Sequence, residues 1–531
     1  APLTHRQIMV ILSGLLLGMF LAALDQTIVS TAVRTIADEL QGQTAQAWVS
    51  TAYLITSTVS TPLYGKLSDT YGRKPFYLFA ISIFVVGSML CGTAGDIYTL
   101  AAYRAVQGIG AGGLMSLAFA IVGDLVPPRE RARYSAYFMS VFATSSVLGP
   151  VVGGALAGQE QLLGVDGWRW IFYVNVPIGL AALAVVSAKL TLPRRSVPGR
   201  IDFVGAALLT AGVVPLLLVA EKGREWGWSS ATSLGLLALS LVTLAAFVPW
   251  ERRMGERALL PLRVFAAPGF GVASAVALLV GVGMFGGIVL IPLYLQIVRG
   301  ESPTSAGLLS LPLMLGILVF SGASGRIMSR TGRYKIFPVV GTALMGVAAL
   351  LFSTGHLDTP LWHALAFMVV MGGGLGLCMQ MLVITVQNAL PPRDMGVATS
   401  SVSFFRSLGG TFGAALSLAV LFGTLTTHIR ERAVAAGLPG EVIERFGSAS
   451  AIDDTSVLAT LPPAVRRAVL EGFADAMATS FLTIAVVLVP AFLLSLFIRE
   501  LPLRTTSGLT AERAAATQAQ GERARAQTPV G

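Results

Sequence analysis

Fourteen apolar runs, each about 18 residues or longer, follow one another along this chain and leave it little choice of environment. They lie near 8–33, 46–64, 75–94, 97–119, 133–157, 169–190, 203–220, 231–249, 270–297, 304–328, 336–354, 360–389, 394–424 and 476–499. A helix rises 1.5 Å per residue, so each run is long enough for a hydrocarbon core of about 30 Å. Lipid offers no hydrogen bonds to an open backbone, which makes these runs membrane helices and the chain an all-α membrane protein. Only 12% of residues are charged and the mean hydropathy is +0.74, values a soluble protein of 531 residues would not show.

A charged stretch between the second and third runs occurs twice. Gly65-Lys66-Leu67-Ser68-Asp69-Thr70-Tyr71-Gly72-Arg73-Lys74 has a partner 260 positions later, where Gly325, Gly332 and Arg333 repeat Gly65, Gly72 and Arg73. In the second copy Ser329 replaces Asp69. A duplicated bundle explains this, since parallel halves are a recurrent transporter design. The two glycines are expected to let the chain turn tightly and helices approach closely. The organisation this suggests is a six-helix unit over 1–200, two inserted helices and a linker over 201–265, and a second six-helix unit over 266–505. Residues 506–531, rich in Ala, Gln, Thr and Arg without apolar periodicity, are expected to be disordered. Segment 425–475 is expected to lie outside the membrane, with a surface-lying amphipathic helix from Pro462 to Glu471.

The net charge of +10 comes from basic residues dispersed at helix ends, which reads as topology and not as a nucleic-acid surface. Their alternation places the N-terminus inside, with an uncleaved first span and both termini cytoplasmic. Cys91 and Cys378 are far apart within or at the edge of apolar runs, so no disulfide framework is expected. The metalloprotease His-Glu-x-x-His, the phosphate-binding Gly-x4-Gly-Lys-Ser/Thr and the Gly-x-Ser-x-Gly nucleophile turn are missing, and the four histidines are scattered. An enzyme or an ATP-driven pump is therefore disfavoured, and no cofactor or metal is expected.

Charge inside the apolar runs marks the candidate chemistry. A carboxylate at a helix centre costs about 2.5–3.5 kcal/mol on insertion scales, so Asp25 is expected to face a cavity. Counting along helices of opposite direction puts Asp25 about 12 Å and Arg104 about 10 Å from their outer ends, a shared depth. The guanidinium would favour ionised Asp25 and desolvation the protonated form, which suits a proton carrier. A permanent pair tying two helices together is the competing reading. Arg406 is a second buried cation, about 18 Å into the thirteenth run. Tyr53, Gln107, Tyr294, Gln296 and Asn388 are polar or aromatic positions that would suit a cavity wall.

Several stretches resemble the fourteen-helix drug:proton antiporter branch of the major facilitator superfamily. Leu24-Asp25-Gln26-Thr27-Ile28-Val29 is similar to its first-helix motif, with Arg34 where a proline is common, and residues 65–74 are similar to its cytoplasmic loop. Arg104-Ala105-Val106-Gln107-Gly108-Ile109-Gly110 and Gly149-Pro150-Val151-Val152-Gly153-Gly154 resemble its helix-4 and helix-5 motifs. Trp168 to Pro177, Tyr294-Leu295-Gln296 with Gly300, and Arg406-Ser407-Leu408-Gly409-Gly410 resemble further patterns. The resemblance implies two pseudo-symmetric six-helix bundles rocking about a central cavity, with two helices inserted between them. It also implies export of amphipathic, often cationic drugs or dyes in exchange for protons across a bacterial cytoplasmic membrane, by a monomer in contact with small-molecule substrate, protons and lipid. Within it Asp69, Arg73 and Asp124, with Gly65 and Gly72, would gate the cytoplasmic side, although capping and topology alone also account for them. Gly149, Pro150, Gly153 and Gly154 would form a packed and kinked seam associated with export. A lipid or metabolite exporter, or a non-transporting receptor on the same fold, would carry these motifs equally well.

Overall fold

The structure, a computed structural model, describes residues 5–42, 45–190, 202–438 and 461–504. Apart from a small hairpin, Gln161–Leu162 with Val165–Asp166, its regular elements are helical. The first half contains α1 His5–Glu39, α2 Ala47–Tyr71, α3 Arg73–Gly92, α4 Ile97–Leu125, α5 Pro128–Ala157 and α6 Gly167–Lys189. Then come α7 Phe203–Trp226 and α8 Ala231–Met254. The second half contains α9 Phe270–Val298, α10 Ser305–Thr331, α11 Ile336–Ser353, α12 Leu361–Ala389, α13 Met395–Ala435 and α14 Pro463–Leu496.

Thirteen of these described helices are long and apolar enough to cross a membrane. The fourteenth, α2, has a lower mean hydropathy because it carries Thr51, Ser57, Thr58, Ser60 and Thr61. Hydroxyls of this helix face protein, not lipid: Ser60 donates to the Ile109 carbonyl at 3.2 Å and Thr61 to that of Gly112 at 3.3 Å. Small residues make this approach possible, since a Cβ on Gly108 or Gly112 of α4 would collide with the carbonyls of Tyr53 or Ser57. At its start α4 is capped by Asp96, which accepts from the backbone N–H groups of Tyr98 and Thr99. The Thr99 hydroxyl and these amides hold its carboxyl below the usual range.

The duplication is visible in the packing. In the first half α2 and α3 pack on α4, α1 packs on α5, and α6 packs on α1 and α3. Raising every number by eight gives the second half: α10 and α11 on α12, α9 on α13, and α14 on α9 and α11. The halves meet through α2 against α13 and α5 against α10, a pair of contacts that the same two-fold exchanges. The α7–α8 hairpin is joined by a bond from Ser240 to the Gly212 carbonyl at 2.6 Å, and α7 leans on both α2 and α13. The fold is thus two pseudo-symmetric six-helix bundles with two inserted helices.

Four expectations change. The loop at 65–74 is almost entirely helical, because α2 runs to Tyr71 and α3 starts at Arg73. Gly72, at φ 104°, makes the turn alone, in a region L side chains avoid. Gly65 lies inside α2, where a Cβ would strike Ser400 and the Gly396 carbonyl of α13, so it serves inter-half contact. The expected surface helix at Pro462–Glu471 is the opening of α14; α13 itself runs on to Ala435, and the two pack where Gly472 meets the Ile429 backbone. Residues 439–460 and the 506–531 tail lie outside the described residues.

The seam at 149–154 divides by direction. Gly149 presses on Thr27 of α1 and Gly153 on Ile28, Pro150 stands within α5, and Gly154 faces open space. Gly149→Val should therefore push α1 from α5 and cost about 1–3 kcal/mol, as overpacking does, while Gly154→Val leaves stability near the parent's. Thermal melts of the two purified variants check this; equal melting points would refute it.

Candidate functional site

Asp25 is fully buried at the centre of the first bundle. Its Oδ2 accepts from Arg104 Nη1 at 2.6 Å, and its Oδ1 accepts from Gln107 Nε2 at 2.8 Å and Asn175 Nδ2 at 2.7 Å. Its two oxygens thus take three donors, one from a guanidinium and two from side-chain amides. Arg104 is held in turn by the Val49 carbonyl at 3.2 Å and by Gln107 Oε1 at 2.6 Å, with its guanidinium 4.1 Å from the centre of the Tyr53 ring. Ser88 accepts from both Gln107 and Asn175 and donates to the Phe172 carbonyl. Helices α1, α2, α3, α4 and α6 thus all contribute to one dry network. Asn175 opens the long piece of α6, Asn175–Lys189, just after the short turn Trp170–Tyr173.

Between the halves lies a cavity of about 920 Å³, spanning the middle of the molecule and the end remote from Gly72. Met139 and Phe142 of α5, Met284 and Phe285 of α9, Met314 of α10 and Met379 of α12 supply apolar walls. Methionine and aromatic surface of this kind adapts to ligands of varied shape. From α1 the cavity meets Ala23, Gln26 and Thr27. Asp25 shares that turn of helix but points into its own bundle.

The opposite end is closed by bonds between the halves. Arg73 bridges Asp69 and Asp124, its Nε lying 2.8 Å from Asp124 Oδ2. The Asp69 carboxylate crosses to α13 and accepts the backbone N–H groups of Gly396 at 2.9 Å and Val397 at 2.8 Å. These are first-turn amides, without intrahelical partners, at the positive end of a helix. A second crossing uses side chains that the sequence did not single out: Arg131 donates to Gln387 Oε1 at 2.6 Å, and Gln387 donates to the Phe119 carbonyl at 3.3 Å and to Thr399 at 2.8 Å. Where Ser329 replaces the acid, Arg129 of α5 donates to the carbonyls of Ser329 and Arg330 at the end of α10. The closure is therefore two-sided, with different chemistry on each side.

The structure joins Asp25, Arg104, Gln107 and Tyr53, and separately Asp69, Arg73, Asp124 and Gly65. It does not bring the other cavity candidates to the cavity. Tyr294 and Gln296 lie in the π-turn that ends α9. Asn388 donates to the carbonyls of Leu501 and Pro502, tying down the chain after α14. Arg406 lies where α13 packs on Gly281 of α9, below the cavity wall formed by Ala414 and Leu418. Tyr53 and Gln107 also stand back from the cavity, absorbed in the Asp25 network.

This chain is 38% identical to an uncharacterized MFS-type transporter of Mycobacterium tuberculosis, over 93% of this chain and 70% of that one. Two Bacillus subtilis proteins, Multidrug resistance protein 3 and the multidrug transporter protein MdtP, are 33% and 35% identical. The alignments cover 94% of this chain and 96% of the former, and 77% of this chain and 75% of the latter. Among solved structures, the proton:xylose symporter XylE superposes with a TM-score of 0.62 at 16% identity, over 96% of this chain and 99% of XylE, a likeness of fold. The human organic anion transporter MFSD10 gives 0.60 at 16% identity, over 92% and 99%. The family profile of the Major Facilitator Superfamily matches residues 15–414, and the chain belongs to that superfamily of transporters.

Proposed function

We propose that this transporter exports amphipathic cations from a bacterial cytoplasm in exchange for protons, with both termini and the Gly72 turn on the cytoplasmic side. The observation that carries the reading is the large apolar cavity between the halves, reaching one end only, while cross-half bonds seal the other. In that orientation the conformer is open outward, the state that releases cargo and takes up a proton. Relatives named for multidrug transport support export.

Asp25 is the proposed proton carrier and Arg104 its counter-ion. Substrate touching Gln26 and Thr27 meets α1 without meeting the carboxylate, so coupling would run through movement of α1 against the Asn175, Gln107 and Arg104 donors. Withdrawal of Arg104 in a dry site favours protonation, and its return expels the proton.

The test is purified protein in vesicles with an imposed pH gradient. Ethidium should accumulate against its own gradient, and collapsing the pH difference should abolish accumulation. Movement that ignores the pH gradient would remove proton coupling; no ethidium movement at all would favour a lipid or metabolite as cargo.

A further inference from the structure

Among the described residues, every formal charge on the cavity wall comes from one inserted helix. The parts of α1, α2, α5, α9, α10, α12 and α13 that line the cavity offer neutral polar or apolar groups, whereas α7 brings Glu221, Arg224 and Glu225, with Trp228 just beyond. Three of these four are otherwise engaged or lie at the rim. Both Glu225 oxygens take the Lys222 ammonium, at 2.8 and 3.0 Å, and Lys222 itself turns away from the cavity toward the Trp48 ring. The Arg224 guanidinium lies 3.9 Å from the centre of the Phe422 ring on α13. Trp228 stands half exposed at the mouth. Glu221 is one turn deeper than Glu225 and half-buried, with Thr51 of α2 and the Lys222 ammonium as its favourable neighbours; it makes no direct ion pair among the described residues, whereas Glu225 holds Lys222 at contact distance. Asp25, meanwhile, is fully buried and faces its own bundle, so a ligand in the cavity does not reach it.

We infer that Glu221 is the cation-recognising group of the cavity. The ligand's apolar body would lie against the methionine walls and its positive centre toward this carboxylate. The inserted hairpin then carries charge selectivity, the bundles supply shape and adaptability, and Asp25 handles the proton without contacting cargo. This assignment rests on the export reading for its biological sense, but it is a statement about binding and is tested by binding. A carboxylate half-buried on an apolar wall attracts a cation more strongly than one fully in water, and it does nothing for an uncharged molecule of similar shape.

The experiment measures equilibrium binding of radiolabelled tetraphenylphosphonium to the full chain in lipid nanodiscs, with displacement by uncharged triphenylphosphine oxide. Glu221→Gln should raise the tetraphenylphosphonium Kd about tenfold, equivalent to about 1.4 kcal/mol. The neutral compound should bind as to the parent, which also shows that the variant is folded. Glu221→Asp should recover most of the cation affinity, and Glu225→Gln should stay within about twofold of the parent, as for a site already neutralised. Equal cation affinity in the parent and Glu221→Gln, or a parallel loss of both ligands, overturns the assignment, and so does a parent that binds no cation. A parent that binds the cation without moving ethidium sinks export, yet Glu221 is still judged by its own Kd.

Discussion

Replacing either member of the Asp25–Arg104 pair is expected to destabilise the protein strongly, and replacing both is expected to restore stability without restoring transport. The pair is 0% and 1% exposed. Arg104→Gln leaves a carboxylate in a dry bundle with only amide donors, and Asp25→Asn leaves a guanidinium with carbonyl acceptors and the Tyr53 ring. Breaking a buried pair from one side costs about 3–5 kcal/mol, because the surviving charge has lost its partner and cannot reach water. In the double variant both replacement side chains are neutral amides that can hydrogen-bond to each other, to Gln107 and to Asn175, so most of that loss should return. Thermal melts of the four proteins form a double-mutant cycle; two single losses of about 3–5 kcal/mol each against a double loss of about 2 kcal/mol or less give an expected coupling energy of at least about 4 kcal/mol. The same four proteins in vesicles separate the two readings of the pair. A strut that only ties α1 to α4 would work again once stability returns. A proton carrier would not, because neither amide takes up or releases a proton near neutral pH. Recovered pH-driven ethidium export in the double variant would reduce the pair to a strut.

What the sequence revealed and what it hid follow from the same physics. Asp25 and Arg104 stood out because a charge within an apolar run is costly and needs a reason, and helix rise alone placed them at one depth. Their amide partners did not stand out in that way. Gln107 was visible but its direction was not, and Asn175, two residues before Pro177, reads as a helix end, whereas its amide donates into the Asp25 network. Ser88 resembles any small polar residue that satisfies itself on its own helix. Glu221 was hidden by the hydropathy pattern, since the apolar run stops at Ala220 while the helix continues to Trp226. Tyr294, Gln296 and Asn388 were misread for the opposite reason: a lone polar residue in an apolar helix signals a need for a partner, and a nearby chain end or turn meets that need as well as a cavity does. The fold was legible because it rests on run length and on the repeat. The closure was legible only in part, because the acceptor Asp69 is a side chain, while its partners on α13 are backbone amides that leave no mark on the sequence.

Those amides give Asp69→Asn its expected effect, a shift of the whole conformational equilibrium. In the closed arrangement the two Asp69 oxygens each take one N–H from the start of α13, and the carboxylate sits on the positive end of that helix. Once the halves part at this end, α13 moves away and water replaces both bonds, so the contacts stabilise the closed arrangement specifically. Hydrogen bonds to a charged group contribute about 1.5–3 kcal/mol each to a net balance. Asparagine keeps one acceptor oxygen and loses the charge, so a loss of about 1.4–2.8 kcal/mol is a fair expectation, or roughly a 10- to 100-fold shift toward opening. Arg73 should stay in place in this variant, because its bond to Asp124 at 2.8 Å is untouched, and the bundle itself should remain folded. Spin labels on exposed Glu130 of α5 and Arg330 of α10 read the change, since these helices face each other across the halves at this end; the native Cys91 and Cys378 are buried and should label poorly. The parent should give one short distance, and Asp69→Asn should add a longer population. Gly396→Ala should do the same by a different route, since its Cβ would run into Asp69, Arg73 and the Gly65 carbonyl. If the carboxylate were only a helix cap, the first substitution would leave the distances alone and the second would still move them, so the two variants together separate an electrostatic latch from a tight steric fit.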